Sequence, residues 1–227
     1  MRETICTIPV NEVFEVTGGC PICRLRDILE AKHIDYITGA AMMEPDVRIM
    51  TNQKGFCERH FNAMLDLGRQ RLPICLTMET HIGEIGGKLL KSCDSGSLKR
   101  LEQLENSCFV CDMIEHNLSR FLDTVYRSYR NEPEFRALFA GQEYICLPHY
   151  RRMVAESKKT LGPLYGEFCD KALGLARARC QLLEKRLKGF EDAFDHRNAG
   201  VPMAEEYRDS LECAVEFITS RDPRARK

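Results

Sequence analysis

Cys20-Pro21-Ile22-Cys23, read together with Gly55-Phe56-Cys57-Glu58-Arg59-His60, decides how this chain is organised. The first stretch sets two thiols two residues apart, and the second sets a thiol and an imidazole two residues apart. Three sulfurs and one ring nitrogen make a complete tetrahedral ligand set for a soft divalent metal. The chain then writes the set again, as Cys108-Phe109-Val110-Cys111 and Tyr144-Ile145-Cys146-Leu147-Pro148-His149. Cys57 follows Cys23 by 34 residues and Cys146 follows Cys111 by 35. A lone C-x2-C is a weak signal, whereas two C-x2-C/C-x2-H sets at nearly equal spacing are a strong one.

Outward from these motifs, the two halves keep step. Val10, Val13 and Val16 correspond to Leu98, Leu101 and Leu104 at an offset of 88, the offset between Cys20 and Cys108. Glu44-Pro45-Asp46-Val47-Arg48 is answered at the same offset by Glu132-Pro133-Glu134-Phe135-Arg136. Helical periodicity predicts an entry helix over 8–16, a long amphipathic helix over 24–43, and a metal-bearing helix from Glu58 that stops at Gly68. A third helix starts near Pro73 and runs to about Leu90, and Asp94-Ser95-Gly96-Ser97 reads as the loop between halves. In the second half the helices are expected over 98–106, over 112–130 and from Pro163 to about Arg197. A last amphipathic helix follows over 203–219, then a basic tail from Arg221. Tyr144-Ile145-Cys146-Leu147 is the one short β-like run. The expected fold class is all-α. Two pseudo-repeated helical units, residues 1–95 and 96–197, are each stapled by a Cys3His metal site and share one core, with a C-terminal helix and tail over 198–227.

At 227 residues, with 44% hydrophobic and 30% charged residues, the composition is that of an ordinary globular protein. A formal net charge of −1 provides no global field for nucleic acid or anionic membrane. Met1-Arg2-Glu3-Thr4 lacks the apolar core of a signal peptide, and no apolar run approaches a membrane span, so the expected location is the cytoplasm. Twelve cysteines there point to metal ligation rather than a disulfide framework.

A C-x2-C knuckle turns both sulfurs toward one point, and a C-x2-H pair at a helix start puts both side chains on one face near the positive end of the helix dipole. The expected ligand sets are therefore Cys20, Cys23, Cys57 and His60 in the first half, and Cys108, Cys111, Cys146 and His149 in the second. A duplicated chain also allows crossed pairing, with Cys20 and Cys23 joined to Cys146 and His149; the contiguity of each half favours the first arrangement. Three thiolates and an imidazole leave zinc no open position, which is the structural kind of site. Two zinc ions per chain are expected, with an iron–sulfur cluster as the alternative because thiolates with one imidazole also hold iron. The bland reading, buried thiols and helix-face histidines, explains the remaining residues better. Cys6, Cys75, Cys93, Cys169, Cys180 and Cys213 share no repeated spacing, and His33, His81, His116 and His196 have no partner at ligand spacing.

The motifs Cys20-Pro21-Ile22-Cys23-Arg24-Leu25 and Gly55-Phe56-Cys57-Glu58-Arg59-His60 resemble a family of uncharacterised bacterial helical proteins classed only as a domain of unknown function. The resemblance supports metal ligation and implies no reaction. In the second half Phe109 replaces the knuckle proline and Tyr144-Ile145 replaces Gly-Phe, which puts occupancy of a second site in question. No GxGxxG, P-loop, nucleophile elbow or H-E-x-x-H motif is present. The expected function is a non-catalytic, zinc-stabilised interaction or regulatory module with a protein partner. The alternatives are a thiol or iron–sulfur redox protein, and nucleic-acid binding through the basic region after His149, which carries Lys158, Lys159, Lys185 and Arg186. Acidic residues interleave with that region, as on a solvated helix face.

Overall fold

Eleven α-helices and short tight turns make up the computed structural model, which describes residues 6–67, 71–198 and 200–221; no strand occurs among them. The fold class is all-α. α1 (Thr7–Glu15) buries Val10, Val13 and Phe14. α2 (Pro21–Thr38) starts on the first knuckle and ends before Gly39, where a 3-10 turn over Ala40–Met43 replaces the last turn of the expected helix. α3 (Pro45–Lys54) starts at a proline, whose missing N–H belongs to the unbonded first turn of a helix. α4 (Glu58–Asp66) carries His60, and the expected stop at Gly68 lies outside the described residues. α5 (Arg71–Glu84) gives way to one wide π turn over Ile85–Leu89.

α6 (Ser95–Glu105) begins inside the stretch read as a loop, because the Asp94 carboxylate accepts the Ser97 N–H at 2.9 Å and caps the helix. α7 (Phe109–Asn131) is a long amphipathic helix, with Val110, Ile114, Leu118, Leu122, Val125 and Tyr129 on its buried stripe. α8 (Pro133–Ala140) buries Phe135 and Phe139. The β-like run at Tyr144–Leu147 forms no strand; its buried Tyr144, Ile145 and Cys146 are the extended entry to α9 (Leu147–Leu161). α10 (Tyr165–Asp192) ends earlier than its periodicity suggested. The last helix, α11 (Ser210–Thr219), is shorter than expected, since Glu205–Tyr207 is a separate 3-10 turn. A Cβ on Gly189 would lie 2.5 Å from the Tyr207 ring, so only glycine lets that turn rest on α10. Beyond Arg221, the expected basic tail lies outside the described residues.

The chain forms two compact units. A split unit combines Met1–Leu25 with Arg120–Lys227, and an inserted unit is the continuous segment Arg26–Ser119. These units are cut differently from the expected repeats at 1–95 and 96–197 and the appended segment at 198–227. The split unit has an aromatic core: Phe168 packs against Phe139 at 4.9 Å, Tyr129 at 5.0 Å and Tyr126 at 5.9 Å, and Phe14 lies 4.9 Å from Phe135. The inserted unit has a more aliphatic core of Ile34, Ile37, Val47, Met64 and Ile74, in which Phe56 stands edge-on to Phe61 and Phe109. Among the described residues no helix is long and apolar enough to cross a membrane.

Candidate metal centres

All eight cysteine and histidine side chains of the repeated motifs gather into two Cys3His groups, and each group could hold a metal ion. The pairing corrects the expectation from contiguity. Cys20 and Cys23 join Cys146 and His149, whereas Cys57 and His60 join Cys108 and Cys111. The first group lies wholly in the split unit and the second wholly in the inserted unit.

Local contacts explain the exchange. In the first group, the Arg24 guanidinium gathers the turn before the knuckle. It donates to the carbonyls of Val13 at 3.0 Å, Val16 at 2.6 Å and Gly19 at 3.0 Å, to that of Gly18, and to Gln142 Oε1 at 2.9 Å. The Gln142 amide reaches back to the Phe14 carbonyl at 2.7 Å, and the Glu143 N–H bonds the Thr17 carbonyl at 3.2 Å. The Glu143 carboxylate accepts the Gly19 N–H and the Arg179 guanidinium, both at 2.8 Å. The approach to Cys146 is thus bonded directly to the approach to Cys20.

The second group is joined by different bonds at matching places. The Phe109 N–H donates to the Gly55 carbonyl at 2.9 Å, a bond that Pro21 at the corresponding position cannot make. Ser107 Oγ donates to the Lys54 carbonyl at 2.7 Å, and Lys54 forms an ion pair with Asp112. Gly55 has φ 59°, and a Cβ there would sit 3.1 Å from His81 Nε2 and 3.2 Å from Leu104, so the turn into Cys57 needs glycine.

A charge signature in the sequence matches this exchange. Arg24 and Asp112 each follow the second cysteine of a knuckle, while Lys54 and Glu143 each stand three residues before a C-x2-H cysteine. Exchanged pairing puts Lys54 in an ion pair with Asp112 and puts Arg24 within the favourable field of Glu143, whose carboxylate pairs with Arg179; contiguous pairing would set Arg24 by Lys54 and Asp112 by Glu143. Like charges brought together in this way disfavour the wrong partner.

The geometry within the groups is tight. In the first, His149 Nδ1 lies 3.7, 3.4 and 3.1 Å from the sulfurs of Cys20, Cys23 and Cys146, and the Cys23 and Cys146 sulfurs are 3.7 Å apart. In the second, His60 Nδ1 lies 3.2, 3.2 and 3.5 Å from Cys57, Cys108 and Cys111, with 3.9 Å between the Cys57 and Cys111 sulfurs. Both imidazoles therefore present Nδ1 to the sulfurs. Burial separates the groups. Cys20, Cys146 and Cys23 are 1%, 0% and 9% exposed, and the Ser220 carbonyl at the end of α11 lies 3.9 Å from Cys23. In the second group Cys108 is buried, Cys57 half-buried and Cys111 exposed.

Glu30 is the residue that sequence reasoning missed. Its carboxylate accepts the His60 Nε2–H at 2.9 Å and is itself held by Arg59 at 2.6 Å and Arg26 at 3.7 Å. No motif marks it, because it lies on α2 and meets His60 only through folding. Burial alone would raise the Glu30 carboxyl, but the bond from His60 and the Arg59 charge hold it at about 2. His60 is raised to about 9 against the opposing effect of burial, through its bonds to Cys108 and Glu30. Cys108 falls to about 6 despite burial, because His60 and backbone N–H groups stabilise its thiolate. Burial and the neighbouring Cys108 sulfur push Cys111 up to about 12. In the first group Cys20 is driven well down despite burial, and Cys23 is driven up by sharing its proton with Cys146 and Cys20. Sulfurs crowded like this resist joint ionisation unless a cation lies among them, and a coordinated thiol loses its proton outright.

Comparison with known sequences matches residues 1–225 to the profile described as "Family of unknown function (DUF6062)". A search of curated proteins and a search of solved structures each return no match.

Proposed function

The chain belongs to this family of unknown function over nearly its whole length, and from its residues we propose that each Cys3His group is a closed structural zinc site. On this reading the two zinc ions staple a non-catalytic helical interaction or regulatory module, with another protein as its partner. The observation that carries the reading is the size of the ligand polyhedra. Zinc bonded to sulfur at ~2.3 Å and to nitrogen at ~2.0–2.1 Å in a tetrahedron gives edges of ~3.8 Å between sulfurs and ~3.5 Å from sulfur to nitrogen. The three sulfur-to-nitrogen edges and one sulfur–sulfur edge of each group run from 3.1 to 3.7 Å in the first and from 3.2 to 3.9 Å in the second, and the four ligand atoms of each group all lie within 4.8 Å of one another. They suit one shared ion better than a cluster, whose thiolates bind different irons and stand further apart. Glu30 behind His60 is the outer carboxylate that metal-bound histidines commonly have.

A protein partner is favoured over nucleic acid because carboxylates already engage three arginines of the basic region. Arg152 pairs with Glu156, Arg179 with Glu143 and Arg186 with Asp209. Elemental analysis of protein purified without added metal tests the metal assignment. Two zinc per chain are expected; a brown anaerobic preparation absorbing at ~400 nm would replace zinc with iron–sulfur.

A further inference from the structure

The two groups carry the same ligands but differ in what can reach them. In the first, Cys20 and Cys146 are sealed in the core of the split unit, and the end of α11 stands over Cys23. In the second, Cys111 is exposed on α7 and Cys57 is half-buried at the start of α4, with their sulfurs 3.9 Å apart. Cys108, the third sulfur, is 4% exposed, accepts the Cys111 N–H at 3.5 Å and lies against His60. A small oxidant in solution therefore meets Cys111 first, with Cys57 beside it as the more accessible of the two remaining thiols. Metal-bound thiolates keep their nucleophilic electron pair, and oxidation follows thiolate character and exposure.

We infer that Cys111 and Cys57 form a modification site for hydroperoxides, oxidised to a disulfide with release of the metal from the second group alone. This rests on the metal-site reading above. The Cys111 thiolate attacks one peroxide oxygen; the S–O bond forms, the O–O bond breaks, and the leaving oxygen takes a proton from water. Cys57 then attacks the Cys111 sulfur; the S–S bond forms, the S–O bond breaks, and hydroxide leaves and is protonated. Two thiolates lose two electrons, and hydrogen peroxide becomes two waters. A metal left with Cys108 and His60 has lost two of its four ligands, so it dissociates. Because Cys57 and Cys111 are both in the inserted unit, the split unit keeps its own metal through the cycle.

The test uses the full chain loaded with zinc, freed of reductant under anaerobic conditions and treated with one equivalent of hydrogen peroxide. A chromogenic chelator reads free zinc and peptide mass spectrometry maps the disulfide. One of the two zinc ions is expected in solution with a Cys57–Cys111 disulfide, and dithiothreitol plus zinc should restore the original state. The triple variant C75S/C93S/C180S, which removes the exposed thiols outside the groups, should behave identically. Retention of both metals, loss of both at one rate, or a Cys108–Cys111 disulfide would overturn the inference while leaving two zinc sites in place. A chain that binds no zinc before peroxide is added overturns the metal-site reading and this inference together.

Discussion

Glu30 and Lys54 act on the second group from outside it, by different means. Glu30 fixes the ring of His60 by accepting its Nε2–H, so Nδ1 stays aimed at the sulfurs. Glu30→Gln keeps the shape and removes the charge. It should weaken zinc binding at this group by ~10–100-fold in a chelator competition titration; unchanged affinity would show that the carboxylate does not orient the ring. The same residue sets an acid limb. Its folded pKa of about 2 lies below the ordinary 4.5, so its contribution is present above about 4.5 and is lost as pH falls toward 2. Acid unfolding of the Gln variant should be flatter across that window. Lys54 pairs with Asp112 while both side chains are about half exposed, so the pair contributes on the order of 0.2–1 kcal/mol. K54E should lower stability to urea by about that much, and K54E/D112K should regain it; a double variant no more stable than K54E alone would remove charge from the account of the pairing.

Among the helices, α10 carries the heaviest packing role in the split unit. Phe168 is fully buried and meets three aromatic rings, from α7 and α8. Replacing it by alanine leaves a cavity bounded by rings that cannot collapse into it, at a cost of ~3–5 kcal/mol in denaturant unfolding. Cys180→Ser on the exposed face of the same helix should stay within ~0.5 kcal/mol of the parent and release no metal. Equal effects would mean that α10 is not anchored through its aromatic face.

For the molecule as a whole, the exchanged pairing nests one loop inside another. Cys23 meets Cys146 across 123 residues and His60 meets Cys108 across 48, so the inserted unit is the segment enclosed between the two ends of the split unit. A link closing 123 residues removes more disorder from the unfolded chain than one closing 34, by ~1 kcal/mol in the chain-entropy picture. Double variants read the topology directly. C57S/C108S damages one group and should lose one zinc per chain; C23S/C57S damages both and should lose two. Contiguous pairing gives the reverse counts.

Much of this was legible in the sequence because it depends on short-range chemistry. The ligand types, their number and the helices that carry them follow from residues within a few positions of one another, and period and proline placement act at that range. Cys20, Cys57, Cys108 and Cys146 could be named as ligand candidates because their motifs are local. Which knuckle faces which C-x2-H pair is a long-range matter, and equal spacing in both halves fits either answer. Tertiary structure decided it through the bonds that tie residues 13–19 to residues 142–143 and residues 54–55 to residues 107–112. The charges at Arg24, Lys54, Asp112 and Glu143 carried the answer in the sequence, but only once the two junctions were set side by side. Glu30 and the unequal exposure of the two groups left no such trace, because a hydrogen bond between two helices and the access of solvent to a sulfur exist only in the folded chain.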